Sequence, residues 1–127
     1  MPTPFMHLQL NEVMLSLAQS RESVDGRLHN TLVEAWPAFC LGSVAPDYQT
    51  ICGIPRPDTH FYTMPPQSRR QGRRNMLAQF PQLYPGESLR SDQAAFIAAY
   101  LVHLRLDLNW HYDVVLPYFC LLYTSDA

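Results

Sequence analysis

The chain has 127 residues, 47% of them apolar and only 16% charged, where an average globular domain carries about 25% charged residues. That size and balance fit one folded domain around one core and exclude disorder over most of the length. All nine basic residues are arginine and they face eleven acidic ones, for a net charge of −2, which excludes a protein held to nucleic acid by general backbone attraction but leaves room for a local phosphate site.

The three cysteines, Cys40, Cys52 and Cys120, are too few and too scattered for a disulfide scaffold. No C-x-x-C pair is present, so zinc-finger and thioredoxin readings fail. The first residues lack the basic and apolar regions of a signal peptide. The stretch nearest to a membrane span, residues 94–108, is interrupted by His103, Arg105 and Asp107. A cytoplasmic location is the expectation.

In chain order, a first helix is expected over about residues 7–20, where Leu10, Val13, Met14 and Leu17 form one apolar stripe. Pro2 and Pro4 keep the residues before it extended. Residues 21–26 are a polar connection. A second helix begins near His29 or Asn30 and carries Leu32, Val33, Trp36 and Phe39, with Pro37 kinking or dividing it. Leu28, Leu32 and Trp36 are read as core rather than as an exposed lip. Between residues 42 and 66, Pro46, Pro55, Pro57, Pro65 and Pro66 with Gly42 and Gly53 predict a long, rigid loop of the kind that often carries function.

A third helix is expected over residues 68–80, with Arg69, Arg70, Arg73 and Arg74 outward, and residues 81–86 break it. The last helix is the clearest. Ser91 is a suitable N-cap, Asp92 suits a first turn, and nothing interrupts a helix to about Tyr112. Phe96, Ala99, Tyr100, His103, Leu106, Asp107 and Trp110 share its core face. The fold class expected is therefore all-α, with a long proline-rich loop. Residues 120–127 resemble the translated read-through of a sequencing adapter. The domain is accordingly expected to occupy residues 1–119 and to be incomplete at its C-terminus, with 120–127 a non-native tail.

The chemistry concentrates in four residues. His103 and Asp107 lie one turn apart on a core-facing helix, with His111 a turn further. A lone histidine there is commonly a packed one, but a buried aspartate demands a partner, which a metal or an arginine would supply. The proline-rich segment adds Asp47, approached through stiff Pro46, and His60 within Asp58-Thr59-His60-Phe61. Two histidines and two aspartates would supply the four nitrogen and oxygen ligands that zinc takes. Taken singly, Asp47 could cap a turn and His60 could lie on the surface. Arg69, Arg70, Arg73 and Arg74 form either a solvated helix face or an anchor for an anionic headgroup or a nucleic-acid phosphate.

Three strings carry a resemblance: Phe39-Cys40-Leu41-Gly42-Ser43-Val44-Ala45-Pro46-Asp47, then Arg56 with Thr59-His60-Phe61, then His103-Leu-Arg-Leu-Asp107-Leu-Asn-Trp110. In this order they resemble the zinc-dependent phospholipase C family, which is related to the S1/P1-type nucleases. The resemblance runs from His7 to about Phe119. It implies a mostly helical fold, up to three zinc ions and hydrolysis of a phosphodiester, with glycerophospholipid as the family substrate.

Residue by residue, it implies that Asp47, His60, His103 and Asp107 hold one zinc. Asp107 also reaches a neighbouring zinc, His7 helps to bind that neighbour, and Asp47 orients the attacking water. Family members carry a histidine six residues after the shared aspartate. Here that position is Asp113, with His111 at four, and either is a candidate additional ligand. Secreted members also use their N-terminal amine; removal of Met1 ahead of Pro2 would leave an amine near His7. The later family ligands would fall beyond Phe119, so one complete zinc site is expected rather than the full cluster.

The implied partner is a small-molecule or lipid phosphodiester, met at a membrane surface without spanning it. An S1/P1-like nuclease is the alternative enzyme, disfavoured by the charge balance and the lack of interleaved basic and aromatic residues. A helical domain whose zinc is structural or absent, acting as a scaffold, is the alternative of a different class.

Overall fold

The computed structural model describes residues 2–20 and 26–120. Most of the polar connection at 21–26, and all of the expected tail except Cys120, lie outside the described residues. Helices α1 (Pro4–Ser20), α2 (Gly26–Glu34), α3 (Trp36–Val44), α4 (Gln49–Cys52), α5 (Arg56–His60), α6 (Gln71–Gln79) and α7 (Ser91–Trp110) follow one another, with short 3-10 turns at Ala45–Tyr48, Pro81–Leu83 and Gly86–Ser88. No strand occurs among the described residues. The fold is all-α, as its sequence pattern predicts.

Helix α7 is the central pillar and α3 packs along it most extensively. Small residues make that approach close. Gly42 sits so near the backbone of Phe96 that a Cβ at this position would lie 2.2 Å from its carbonyl oxygen. Fully buried Ala99, with Ala95, Ala35 and Phe39, forms the apolar cluster between the helices, and Met14, Leu32 and Trp36 close over it. Leu28, expected in the core, is half exposed.

Four local expectations differ from the structure. Helix α1 turns His7 and Asn11 inward, while Val13 and Leu17 of the predicted stripe are each 49% exposed. The inner face of α1 covers a polar site rather than oil, so hydrogen-bonding capacity outweighs apolar periodicity there.

The predicted proline-rich loop is largely a chain of short helical turns, because most of its prolines stand where a helix tolerates them. Pro46 is the second residue of the 3-10 turn, Pro57 the second of α5, and Pro55 stands at the N-cap of α5. The third helix begins at Gln71 rather than 68. At α7 the N-cap position is Arg90 rather than Ser91. The Arg90 N–H donates to Gln93 Oε1, and the Gln93 N–H donates to Asp92 Oδ1.

Beyond Trp110 the chain keeps winding in the wider π form over His111–Cys120, with Pro117 inside it. A proline lacks the N–H and clashes with the carbonyl four residues back, so the α ladder cannot continue through it.

Candidate metal centre

The structure brings ligand atoms of Asp47, His60, His103 and Asp107 within 4.8 Å of one another. They arrive from three places. Asp47 sits in the 3-10 turn after α3, His60 ends α5, and His103 and Asp107 are one turn apart on α7. Asp47 Oδ1 lies 3.5 Å from both His60 Nε2 and His103 Nε2, and Asp107 Oδ2 lies 3.3 and 3.4 Å from the same two nitrogens. A tetrahedral zinc with ligands at about 2.0–2.2 Å has ligand–ligand edges of about 3.3–3.6 Å. Four edges of the cluster match that figure.

The orientation of the imidazoles decides between a metal and a set of ion pairs. His60 Nε2 and His103 Nε2 are fully enclosed, stand beside carboxylate oxygens, and still make no hydrogen bond. Each lies 3.3–3.5 Å from one oxygen of both Asp47 and Asp107. Two buried imidazole nitrogens without partners would each carry a desolvation penalty of about 1–3 kcal/mol. A divalent cation at their focus removes it.

The other ring nitrogens are held so that these atoms are free to ligate. His103 Nδ1 donates to the Ser43 carbonyl oxygen at 2.6 Å. Ser43 is fixed in turn: its hydroxyl donates to the Cys40 carbonyl and accepts from Asn11 Nδ2, each at 2.7 Å. The Thr59 hydroxyl donates to the Arg56 carbonyl and accepts from His60 Nδ1 at 3.0 Å. Both arrangements place the lone pair on Nε2. The Tyr100 hydroxyl donates to the Thr59 carbonyl, and burial pushes this phenol up to about 12, so it stays a donor. We expect Thr59→Val to leave the fold intact and to weaken zinc binding about 10–100-fold, read by competition with a coloured chelator.

The turn that delivers His60 depends on an unusual residue. Phe61 closes α5 in the left-handed region, at φ 62°, which a bulky residue adopts only when its surroundings demand it. Its ring packs against Phe80 and Tyr100, and its carbonyl accepts from Asn75 Nδ2 at 2.7 Å. Gly72 passes against the His60 carbonyl, where an added Cβ would stand 3.1 Å away.

Charge is dense here. Burial pushes the Asp107 carboxyl up, but His103, His60 and His7 outweigh it and hold the group far below the usual carboxylate range. For Asp47 burial also opposes ionisation, and His103 and His60 again prevail. Burial lowers His103, yet Asp107, then Asp47, and the Ser43 carbonyl raise it to about 9. Two carboxylates held ionised beside buried imidazoles form the kind of donor set that a divalent cation takes.

The remaining expected residues fall in different places. His7 stacks on His103 with ring centroids 3.7 Å apart, and its Nε2 lies 3.2 Å from Asp107 Oδ1, the oxygen directed away from the cluster. Its Nδ1 is buried without a partner. His111 is buried against Tyr112 but is not one of the four clustered residues. Asp113 is 58% exposed and turned away to Arg69, which holds both its oxygens. Arg69, Arg70 and Arg73 line one concavity, while Arg74 faces another with Arg73, Leu77, Pro81 and Tyr84.

Arg56 has a position that its sequence context alone did not suggest. Its Nη2 donates to Asp107 Oδ2 at 3.2 Å and to the Tyr62 hydroxyl at 3.3 Å. The hydrogen-bonding roles of Ser43, Thr59, Asn11 and Tyr100 were likewise not visible as spacing, because each joins elements distant in sequence or acts through a backbone carbonyl.

A family model described as zinc dependent phospholipase C matches residues 6–121. Neither a curated protein nor a solved structure matches the chain. The matched span takes in His7 and all four clustered ligand residues. With the cluster, it gives the chain a zinc-binding, hydrolase-like fold with a single candidate metal site among the described residues. The chain belongs to the zinc-dependent phospholipase C family.

Proposed function

We propose that the protein is a zinc-dependent phosphodiesterase that cleaves the glycerol–phosphate bond of a phospholipid. The observation that carries this reading is the focus of four ligand atoms, two of them hydrogen-bond-deprived Nε2 atoms, inside a member of this family. Asp47, His60, His103 and Asp107 would hold the metal, which when bound polarises a phosphoryl oxygen and makes water nucleophilic near neutral pH.

The chain's own groups divide the rest of the work. Three of the four ligands are buried, and Asp47 alone is 15% exposed, so the site opens at Asp47. From there its carboxylate would accept a hydrogen bond from the attacking water and fix its line of approach. Tyr48 and Ile51, exposed beside it, offer apolar surface to a lipid. Arg56 places a cation beside Asp107, where a phosphate oxygen would be drawn. His7 supports Asp107 from behind. Water adds to phosphorus, the bond to the glycerol oxygen breaks, and diacylglycerol leaves together with a phosphomonoester.

The test is hydrolysis by the zinc-loaded chain of phosphatidylcholine in mixed micelles, with single-stranded DNA and an aryl phosphodiester in parallel. Diacylglycerol release that stops with chelator and in Asp47→Asn is the expected result. Cleavage of DNA but not lipid would favour the nuclease reading. A zinc-loaded chain inert toward all three would support the scaffold.

A further inference from the structure

We propose that Arg70, Arg73 and Arg105, walled by Arg69, form a second anion site for a phosphate group, separate from the metal centre. These four arginines line one concavity of about 310 Å³. Arg105 stands on α7 two residues from both His103 and Asp107, so the helix turns it to the opposite side from the metal ligands.

The wall is preorganised. Arg69 bonds both oxygens of Asp113 at 2.5 and 2.8 Å, donates to Asn109 Oδ1 at 3.2 Å, and lies over the Tyr112 ring at 5.1 Å. Asp113 is thereby held chiefly by Arg69, with Arg105 a weaker electrostatic neighbour. Arg70, Arg73 and Arg105 make no ion pair among the described residues. A chain with net charge −2 and nine arginines in all has thus gathered four of them around one hollow, with one carboxylate for the group.

Like charges converge at a cost unless something of opposite sign joins them, and guanidinium forks match the oxygens of a phosphate two at a time. The hollow has room for such a group, and its lining by arginines is hostile to an acyl chain. The ligand class is a phosphate dianion, supplied either free or as the headgroup of an anionic lipid.

The experiment follows the nine arginine Nε–Hε resonances of the zinc-loaded chain while inorganic phosphate is added. Saturable shifts concentrated on Arg70, Arg73 and Arg105 are expected. The exposed pair Arg70→Gln with Arg73→Gln should weaken that binding about tenfold or more, and Arg70→Lys with Arg73→Lys should recover only part of it. Zinc content stays the same throughout, so a failure here is distinct from a failure of the metal centre.

Sedimentation with phosphatidylcholine vesicles, with and without phosphatidic acid, assigns the source. Arginine-dependent capture by the phosphatidic acid vesicles identifies a lipid headgroup. Retained phosphate binding without capture identifies free phosphate. Equal small shifts of all nine resonances, or an unchanged affinity in the glutamine pair, would overturn the proposal.

Discussion

Replacing Asp107 by alanine is expected to abolish zinc binding and to cost about 3–5 kcal/mol of stability even without metal. Asp107 is 2% exposed and its two oxygens meet His7, His60, His103 and Arg56. Its removal strands buried cationic and polar groups, the circumstance in which breaking a pair costs most. Zinc at a thousand times its dissociation constant would stabilise the parent by about 4 kcal/mol. For a chain of this size that is a rise in Tm of more than ~10 °C. Thermal unfolding with and without zinc checks both statements: the parent gains, and Asp107→Ala starts lower and gains nothing. A variant that still responds to zinc would show that the remaining three residues suffice.

Gly42→Ala should be the most damaging change that touches no ligand. The new methyl would stand 2.2 Å from the Phe96 carbonyl oxygen and 2.9 Å from its carbon, both backbone atoms that cannot rotate aside. Helices α3 and α7 must separate, and Ala99 and Phe39 lose their packing. Overpacking of this kind is expected to cost about 3 kcal/mol. The separation also moves Ser43 and Asp47 away from His103, so zinc affinity falls with stability. Gly86→Ala is the control, since nothing lies within 4 Å of its added Cβ. Urea unfolding of the two variants separates them: a large fall in midpoint for the first, and almost none for the second.

The metal-free site makes a further prediction about pH. His103 is raised from 6.5 to about 9, so its contribution is complete below 6.5 and is lost as pH climbs through 9. Asp47 and Asp107 are held below their ordinary 3.8, so theirs is present above that value and is lost as pH falls beneath it. The chelated protein should therefore melt highest between about pH 4 and 6.5 and weaken on both sides. Thermal melts across that range in chelator supply the check. A Tm that keeps rising between pH 7 and 9 would contradict the coupling of His103 to the two carboxylates.

The legible part of this protein is where local pattern and global environment agree. Helix α7 announces itself because nothing between Gln93 and Trp110 opposes a helix, and His103 with Asp107 falls on one face by period alone. The all-helical class follows from the same absence of alternation. The elements misjudged are those where context overrules pattern. In α1 the apolar stripe at Val13 and Leu17 stays half exposed, because the inner face must hydrogen-bond: Asn11 holds Ser43, and Ser43 presents its carbonyl to His103. In residues 42–66 the count of prolines suggested an irregular loop. Pro46 and Pro57, each second in its short turn, instead fit the helical steps that carry Asp47 and His60 inward.

For the site, residue types and order pointed to the four clustered residues, but convergence across 60 positions is a tertiary fact. Arg56 illustrates the limit. Its tie to Asp107 spans 51 residues, and no local spacing encodes it.

Zinc per chain, measured by elemental analysis after zinc loading and exhaustive dialysis, tests the metal centre most directly. It should be run beside a variant with Asp47→Ala and His103→Ala. About one zinc per parent chain is predicted, as for a single four-ligand site, and essentially none in the variant. A folded parent chain that retains no zinc, or a variant that retains as much as the parent, would contradict the assignment of Asp47, His60, His103 and Asp107 as its ligands.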